Sequence, residues 1–109
     1  MSTAVTVPAS LSVIQGEFLP LTIDCSGVII TGDVVSNPTA VLSSLSTSET
    51  VPYALPYSPT VPSVTSVKVF VDCRYLRVGQ SYSLVVNFTA TSGGVSKALS
   101  TILVINVVR

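Results

Sequence analysis

Side chains that could perform chemistry are few in this chain and lie far apart. Its 109 residues include no histidine, which removes the commonest general base and metal ligand of proteins. The five acidic residues lie in five separate segments, mostly beside turn signals such as Gly32-Asp33, so no pair is arranged for acid–base catalysis. No D-x-D-x-D-like run suited to calcium occurs. The sequence therefore predicts a protein that is not an enzyme and has neither cofactor nor metal.

The two cysteines, Cys25 and Cys73, allow two interpretations. They lie far apart in the sequence without C-x-x-C spacing, and could form the inter-sheet disulfide of a secreted immunoglobulin-like domain. However, Glu17 and Asp24 interrupt the first 30 residues, where a signal peptide would need a continuous apolar stretch. We therefore favour two reduced, buried thiols, and interpret the glycosylation sequon at Asn87 as a chance match.

Composition indicates which partners the protein has. Charged residues make up only 9% of the chain, against about 25% in an ordinary soluble domain, and their charges cancel. Because no basic stripe exists to neutralise phosphates, we expect no nucleic-acid binding. No apolar run approaches the ~20 residues of a membrane helix, so we expect no membrane partner. With 48% apolar residues and little charge to cover its outside, the protein is expected to bury surface against other proteins.

The elements that carry these residues are predicted to be strands, because Val, Ile, Thr and Ser dominate and no helical periodicity is sustained. The clearest strand is 81–91, whose apolar and polar residues alternate except at Val85. Ser92-Gly93-Gly94 then favours a hairpin into a returning strand over 95–108. With a third strand over 67–73, these segments predict an antiparallel meander.

The last predicted strand is apolar on both faces in its second half. Leu103 and Ile105 fall on one face, whereas Ile102 and Val104 fall on the other. A strand buried on both sides needs a second sheet or a second protein against its extra face. Ile102 and Val104 are therefore predicted partner-binding residues.

The first half of the chain is less regular. Proline and glycine divide it into short strand candidates, and Pro20 is expected to open a strand or lie on an edge, since it has no amide donor. The candidates are 3–7, 10–14, 20–24, 28–30 and 39–42.

Between these halves, residues 43–66 are rich in Ser, Thr and Pro and predict a 24-residue loop. Its four prolines favour extended backbone, and Tyr53, Leu55 and Tyr57 add apolar bulk that a linker does not need. We interpret the segment as an arm that binds a partner through these three residues, with a floppy insertion as the alternative.

Tyr75, flanked by Arg74 and Arg77, is a further candidate for recognition at one end of the domain. A solvated turn whose arginines aid solubility is the competing interpretation. The whole pattern predicts one all-β domain over residues 1–109, an immunoglobulin-like sandwich of about seven short antiparallel strands with one long Pro/Ser/Thr-rich loop.

Three segments resemble the fibre–tail adaptor type of small bacteriophage virion protein. Leu21-Thr22-Ile23-Asp24-Cys25-Ser26 is similar to that family's early strand, and Val78-Gly79-Gln80-Ser81-Tyr82 to its bend into the penultimate strand. Thr89-Ala90-Thr91-Ser92-Gly93-Gly94, followed by Leu99 to Val107, resembles its closing hairpin and C-terminal strand. The chain departs from the family pattern in lacking tryptophan and in the length of its 43–66 segment.

The resemblance implies a structural protein of a tailed phage, an adaptor between tail, baseplate or neck and fibres. Its location would be the virion, assembled in the host cytoplasm, with other virion proteins as partners and a symmetric homo-oligomer as its state. Two alternatives stay open: a capsid decoration (cement) protein, and a secreted immunoglobulin-like adhesion or carbohydrate-binding module.

Overall fold

The computed structural model describes residues 3–6 and 9–109, with side chains from Ser10 onward. In this part of the chain there are eight strands and two 3-10 turns, Pro52–Ala54 and Cys73–Tyr75. The strands are β1 Thr3–Thr6, β2 Ala9–Ile14, β3 Phe18–Asp24, β4 Val34–Ser44, β5 Thr60–Ser63, β6 Ser66–Asp72, β7 Ser81–Ser92 and β8 Val95–Val108.

The strands form two four-stranded sheets that pack as a sandwich, which confirms the predicted all-β fold. Sheet A has the order β1-β3-β6-β5 and sheet B the order β2-β8-β7-β4. Two pairings differ from the expected antiparallel pattern, since β1 pairs parallel with β3 and β2 pairs parallel with β8. The chain changes sheets between β1 and β2, so each short strand lies on a sheet edge. Residue 7, the predicted end of the first strand, lies outside the described residues.

β7 and β8 form the predicted hairpin in full register, from Ser81 opposite Asn106 to Ser92 opposite Val95. Gly93 and Gly94 have φ of 58° and 80°, the left-handed conformation that a two-residue hairpin turn requires. These strands have 12 and 14 residues, which confirms the predicted bounds of 81–91 and 95–108 to within one residue.

The predicted meander is wrong, because β6 belongs to sheet A and β7 to sheet B. After Asp72 the chain forms the Cys73–Tyr75 turn and crosses to the other sheet before β7 begins. Gly79 has a φ of 84° in this crossing, and its N–H donates to the Val107 carbonyl of sheet B at 2.9 Å. Alternating hydrophobicity marks strands but does not say which sheet each one joins.

Two of the strands predicted in the first half of the chain differ in the structure. Residues 28–30 form a turn and not a strand, since the Ile30 N–H donates to the Asp33 carboxylate at 3.1 Å. Residues 39–42 are part of the longer strand β4, whose pairing register shifts between Ser36 and Thr39. Asn37 allows the shift because it adopts a φ of 50°.

Pro20 lies inside β3 instead of opening it, opposite Phe70 of β6. The Cys73 N–H bonds to the Glu17 carbonyl and the Cys25 N–H to the Thr65 carbonyl, so the odd residues of β3 bond to β6. The backbone nitrogen of Pro20, which has no hydrogen to donate, therefore faces β1 and not β6. Among the described residues the pairing of β1 begins at Leu21, so no hydrogen bond between described residues is lost at Pro20.

Segment 43–66 is partly ordered by the core. It contains the end of β4, the Pro52–Ala54 turn and β5, and Ala54 is fully buried. Val51, Leu55 and Val61 also pack against the core. The apolar residues that distinguished this segment from a linker thus close the side of the sandwich. The core between the sheets consists mainly of Leu, Ile and Val, among them Leu21, Ile23, Val69, Leu84 and Ile105.

Candidate functional site

The outward face of sheet B has no charged side chain, and we call it the neutral face. Its side chains alternate with the core residues of four neighbouring strands, and none of them is charged. They are Ser10, Ser12 and Ile14 on β2, Ser96, Ala98, Ser100, Ile102, Val104, Asn106 and Val108 on β8, Ser81, Ser83, Val85, Asn87, Thr89 and Thr91 on β7, and Val34, Ser36, Thr39, Val41 and Ser43 on β4.

An apolar row crosses the middle of the neutral face. Val41 of β4 lies opposite Val85 of β7, and Val85 lies opposite Ile102 of β8. Val104 continues the apolar surface one outward position further along β8, between Ser83 and Ser10. Val41 and Ile102 are exposed, Ile102 by 52%. An apolar centre with a hydroxyl and amide rim is the arrangement of a protein–protein contact.

The structure places both predicted residues of the last strand on this face, Ile102 exposed and Val104 half-buried. No second sheet of the described structure covers them, because the other sheet packs on the opposite side of β8. Val85 is the one apolar residue on the otherwise polar face of β7, and it lies beside Ile102 in the apolar row.

The predicted arm residues lie elsewhere, so the structure does not bring the two groups together. Tyr53 and Tyr57 are exposed by 74% and 60%, whereas Leu55 is half-buried against the core. Tyr57 packs on the outward face of sheet A, with its ring 5.6 Å from Phe70 and 6.1 Å from Phe18. Leu55 thus anchors the segment, and the two tyrosines are displayed by it.

Five aromatic residues form two clusters outside the neutral face, which we together call the aromatic surface. Tyr57, Phe18 and Phe70 make one cluster, and Tyr53 packs on Tyr75 with 6.0 Å between ring centres. Each cluster has a cation on a ring. Lys68 lies 5.1 Å from the ring centre of Phe70, and Arg74 lies 5.7 Å from that of Tyr75.

Asp72 fixes the position of Arg74 in this aromatic surface. The guanidinium donates to both carboxylate oxygens, with Nη2 2.8 Å from Oδ2, and the Arg74 backbone N–H donates to Oδ1 at 3.1 Å. These hydrogen bonds lower the pKa of Asp72 and raise that of Arg74. Arg77, the other predicted member of the recognition cluster, is exposed in the same crossing segment.

Sequence reasoning missed Phe18, Phe70, Val41 and Val85 as surface residues. Phe18 and Phe70 occupy outward positions of sheet A, which becomes apparent only once Phe18 is paired with Asp72 and Pro20 with Phe70. The signal that could have found Val85 was its break in a polar face. Val41 had no such signal, because the register shift between Ser36 and Thr39 interrupts the alternation along β4 and hides which face Val41 occupies.

In the described residues, no three His, Cys, Asp or Glu side chains are clustered so that they could hold a metal ion. Cys25 and Cys73 are free and fully buried, and burial raises the pKa of each thiol to about 11. Within the same residues, no helix has the length and apolarity to cross a membrane.

Comparison with known proteins returned no match to any family model, curated protein or solved structure. The neutral face and the aromatic surface therefore carry the functional argument.

Proposed function

We propose that this chain is a non-enzymatic structural protein that assembles with other protein surfaces through its neutral face. The observation that carries the proposal is a four-stranded face without charge, with Val41, Val85 and Ile102 aligned across it. Interfaces are depleted of charge at their centres, whereas a free surface normally uses charge to stay soluble.

The dimensions of this face suit a specific contact. Four strands about 4.8 Å apart and roughly ten residues long present on the order of 600 Å². Two such faces in contact would bury about 1,200 Å², the lower limit of a stable specific interface. Many copies in a symmetric particle would turn such modest contacts into permanent attachment.

Two features support an immunoglobulin-like module as the scaffold. Apart from the added edge strand β2 and the parallel pairing of β1 with β3, the sheet orders β1-β3-β6-β5 and β8-β7-β4 correspond to the ABED and GFC orders of that fold. Near the start of β7, the hydroxyl of buried Tyr82 accepts a hydrogen bond from the Arg77 backbone N–H at 3.0 Å, as in a tyrosine corner.

Together with the resemblance to fibre–tail adaptors, these features favour a structural protein of a tailed phage virion, joining tail, baseplate or neck to fibres. A capsid cement protein is the second candidate, because the same neutral face would serve neighbouring head subunits equally well. Imaging of the particle separates the two: about six or twelve copies indicate an adaptor, and hundreds indicate cement. A particle with no copies would refute both.

Replacing Ile102 by Asp tests the neutral face directly. A carboxylate at the centre of the apolar row would be desolvated without a partner, so we expect the dissociation constant for self-association to rise at least about tenfold. Sedimentation equilibrium measures it, and a melting curve checks that the monomer stays folded.

The matched control is Val64→Asp, which changes a valine of similar exposure, 56%, in the turn between β5 and β6. It should leave association unchanged. If Ile102→Asp and Val64→Asp associate like the unaltered protein, or if the unaltered protein is monomeric and absent from its particle, the neutral face is not an assembly surface.

A further inference from the structure

A polar pocket lies between the turn that follows β4 and the segment that crosses from sheet A into β7. Its volume is about 330 Å³, within the ~300–1,000 Å³ range of small-molecule sites. The residues that line it come from 44–51 and 75–82, and none of them belongs to the neutral face. They include Tyr75 and Arg77, two members of the recognition cluster predicted from the sequence. The pocket is therefore separate from the proposed assembly surface.

Tyr82 provides a buried hydroxyl group in the wall of this pocket. The residue is 4% exposed, and its hydroxyl oxygen accepts a hydrogen bond from the Arg77 N–H at 3.0 Å. A phenol also has one proton to donate, and among the described residues this proton has no acceptor. Because buried polar groups are normally satisfied, an oxygen atom of a ligand would supply the acceptor that Tyr82 lacks.

Gln80 is held in a fixed orientation by the turn on the other wall. The Ser46 hydroxyl donates to the Gln80 Oε1 at 3.1 Å, and the Ser44 Oγ lies 3.1 Å from the Ser46 Oγ. The Ser44 Oγ also accepts from the backbone N–H groups of Ser46 and Thr47. This network uses the amide oxygen of Gln80, so its Nε2 group is left to donate to a ligand in the pocket.

Two opposite charges border the pocket without pairing. Glu49 and Arg77 both line it and are both exposed. Neither side chain forms an ion pair with another described residue, where the two ion pairs are Arg74–Asp72 and Lys97–Asp33. The charges of Glu49 and Arg77 cancel, so the pocket suits a ligand that has no net charge but both donates and accepts hydrogen bonds.

We infer that this pocket binds one ring of a neutral carbohydrate. Each sugar hydroxyl both donates and accepts, so adjacent hydroxyls can donate to the Glu49 carboxylate while they accept from Arg77 and Gln80. A further sugar oxygen accepts the unused proton of Tyr82. The inference concerns a site that the proposed function does not require.

The rest of the lining favours a sugar over the other neutral ligand with these properties, an amino-acid zwitterion. Tyr75, which is 49% exposed, and Val51 form an apolar part of the wall, which suits the C–H groups of a sugar ring. The remaining polar groups of the wall are uncharged hydroxyls and an amide, and they outnumber the two charged groups. Neutral groups of this kind match hydroxyls better than they match an ammonium and a carboxylate.

The test is an NMR titration of the isotope-labelled protein with the methyl glycosides of glucose, galactose, mannose and N-acetylglucosamine. We expect at least one glycoside to shift the backbone amides of residues 44–51 and 75–82, with a dissociation constant on the order of 1 mM, because one ring makes few contacts. Arg77→Ala and Glu49→Ala should each raise this constant about tenfold, since each removes a charged hydrogen-bonding group.

The matched control is Arg109→Ala, which removes an exposed arginine outside the pocket and should leave the affinity unchanged. Melting curves check that each variant is folded. The inference is wrong if none of the four glycosides shifts these amides, if Arg77→Ala binds as tightly as Arg109→Ala, or if glycine binds in the pocket more tightly than every glycoside. Any of these results leaves the neutral-face proposal standing, because that proposal is tested at Ile102.

Discussion

At the scale of single residues, the least expected feature is a carboxylate buried at one end of the sandwich. The side chain of Asp33 is 0% exposed, and its Oδ2 accepts hydrogen bonds from the Lys97 Nζ and the Ile30 N–H, both at 3.1 Å. Its Oδ1 has no partner among the described residues. The pair joins the start of β4 to β8 across the sheet, and Lys97 is the only cation that contacts this carboxylate in the described structure.

Replacing Lys97 by Met removes that cation and keeps the aliphatic stem. The buried carboxylate then loses its charged partner, so we expect the free energy of unfolding to fall by about 2 kcal/mol, less than for a fully buried pair because Lys97 is 37% exposed. Urea unfolding measures this change. In the double variant Lys97→Met/Asp33→Asn the losses should be less than additive. Additive losses, or no loss for Lys97→Met, would show that the pair contributes nothing to stability.

Residue-level prediction succeeded where a side chain interrupts a pattern and failed where contacts decide. Ile102 and Val104 were correctly expected on the face opposite the core residues of β8, because a second apolar face on one strand is unusual; that they bind a partner stays a prediction. Asp33 was interpreted from its neighbour Gly32 as a turn residue, which it is, but its contact with Lys97 depends on a hairpin 64 positions away. No local pattern contains that information.

At the scale of elements, β3 and β6 determine what the two cysteines can do. Cys25 follows β3 and bonds to Thr65, whereas Cys73 follows β6 and bonds to Glu17, at the other end of the same strand pair. Eight strand positions separate them, about 27 Å, and a disulfide requires Cα atoms within about 7 Å. This distance removes the bridge on which the secreted alternative depended.

We therefore expect two free thiols in the native protein that react with Ellman's reagent only on unfolding. Both are fully buried, and raising the pKa to about 11 lowers the thiolate fraction near pH 8. In urea both should react at once. Mass spectrometry under non-reducing conditions provides the control: a species bridged between Cys25 and Cys73 would contradict the arrangement of β3 and β6.

Element prediction succeeded for long alternating strands and failed for connections. The β7–β8 hairpin follows from alternation and from Gly93-Gly94, both of which are local. Whether β6 and β7 pair in one sheet depends on the path of the chain through Cys73–Tyr75. The residues of this segment are those of an ordinary turn and do not indicate a change of sheet. The two parallel pairings at the start of the chain likewise involve partners distant in sequence.

At the scale of the whole molecule, the charges are distributed unevenly between the two sides. Lys68, Asp72 and Arg74 belong to the aromatic surface, whereas the neutral face on sheet B has no charge. The protein thus presents two chemically different sides. Composition predicted sparse charge, but only the register of four strands shows that one entire side is free of it.

This separation predicts that association through the neutral face is insensitive to salt. Contacts between charged surfaces weaken as the screening length falls below about 10 Å, whereas burial of Val41, Val85 and Ile102 involves no charge. Between 50 mM and 500 mM NaCl, the dissociation constant for self-association of the unaltered protein, measured by sedimentation equilibrium, should therefore change less than about twofold. Ammonium sulfate should strengthen the association, because sulfate favours apolar burial. Dissociation on adding NaCl would instead assign the contact to the charged, aromatic side of the molecule.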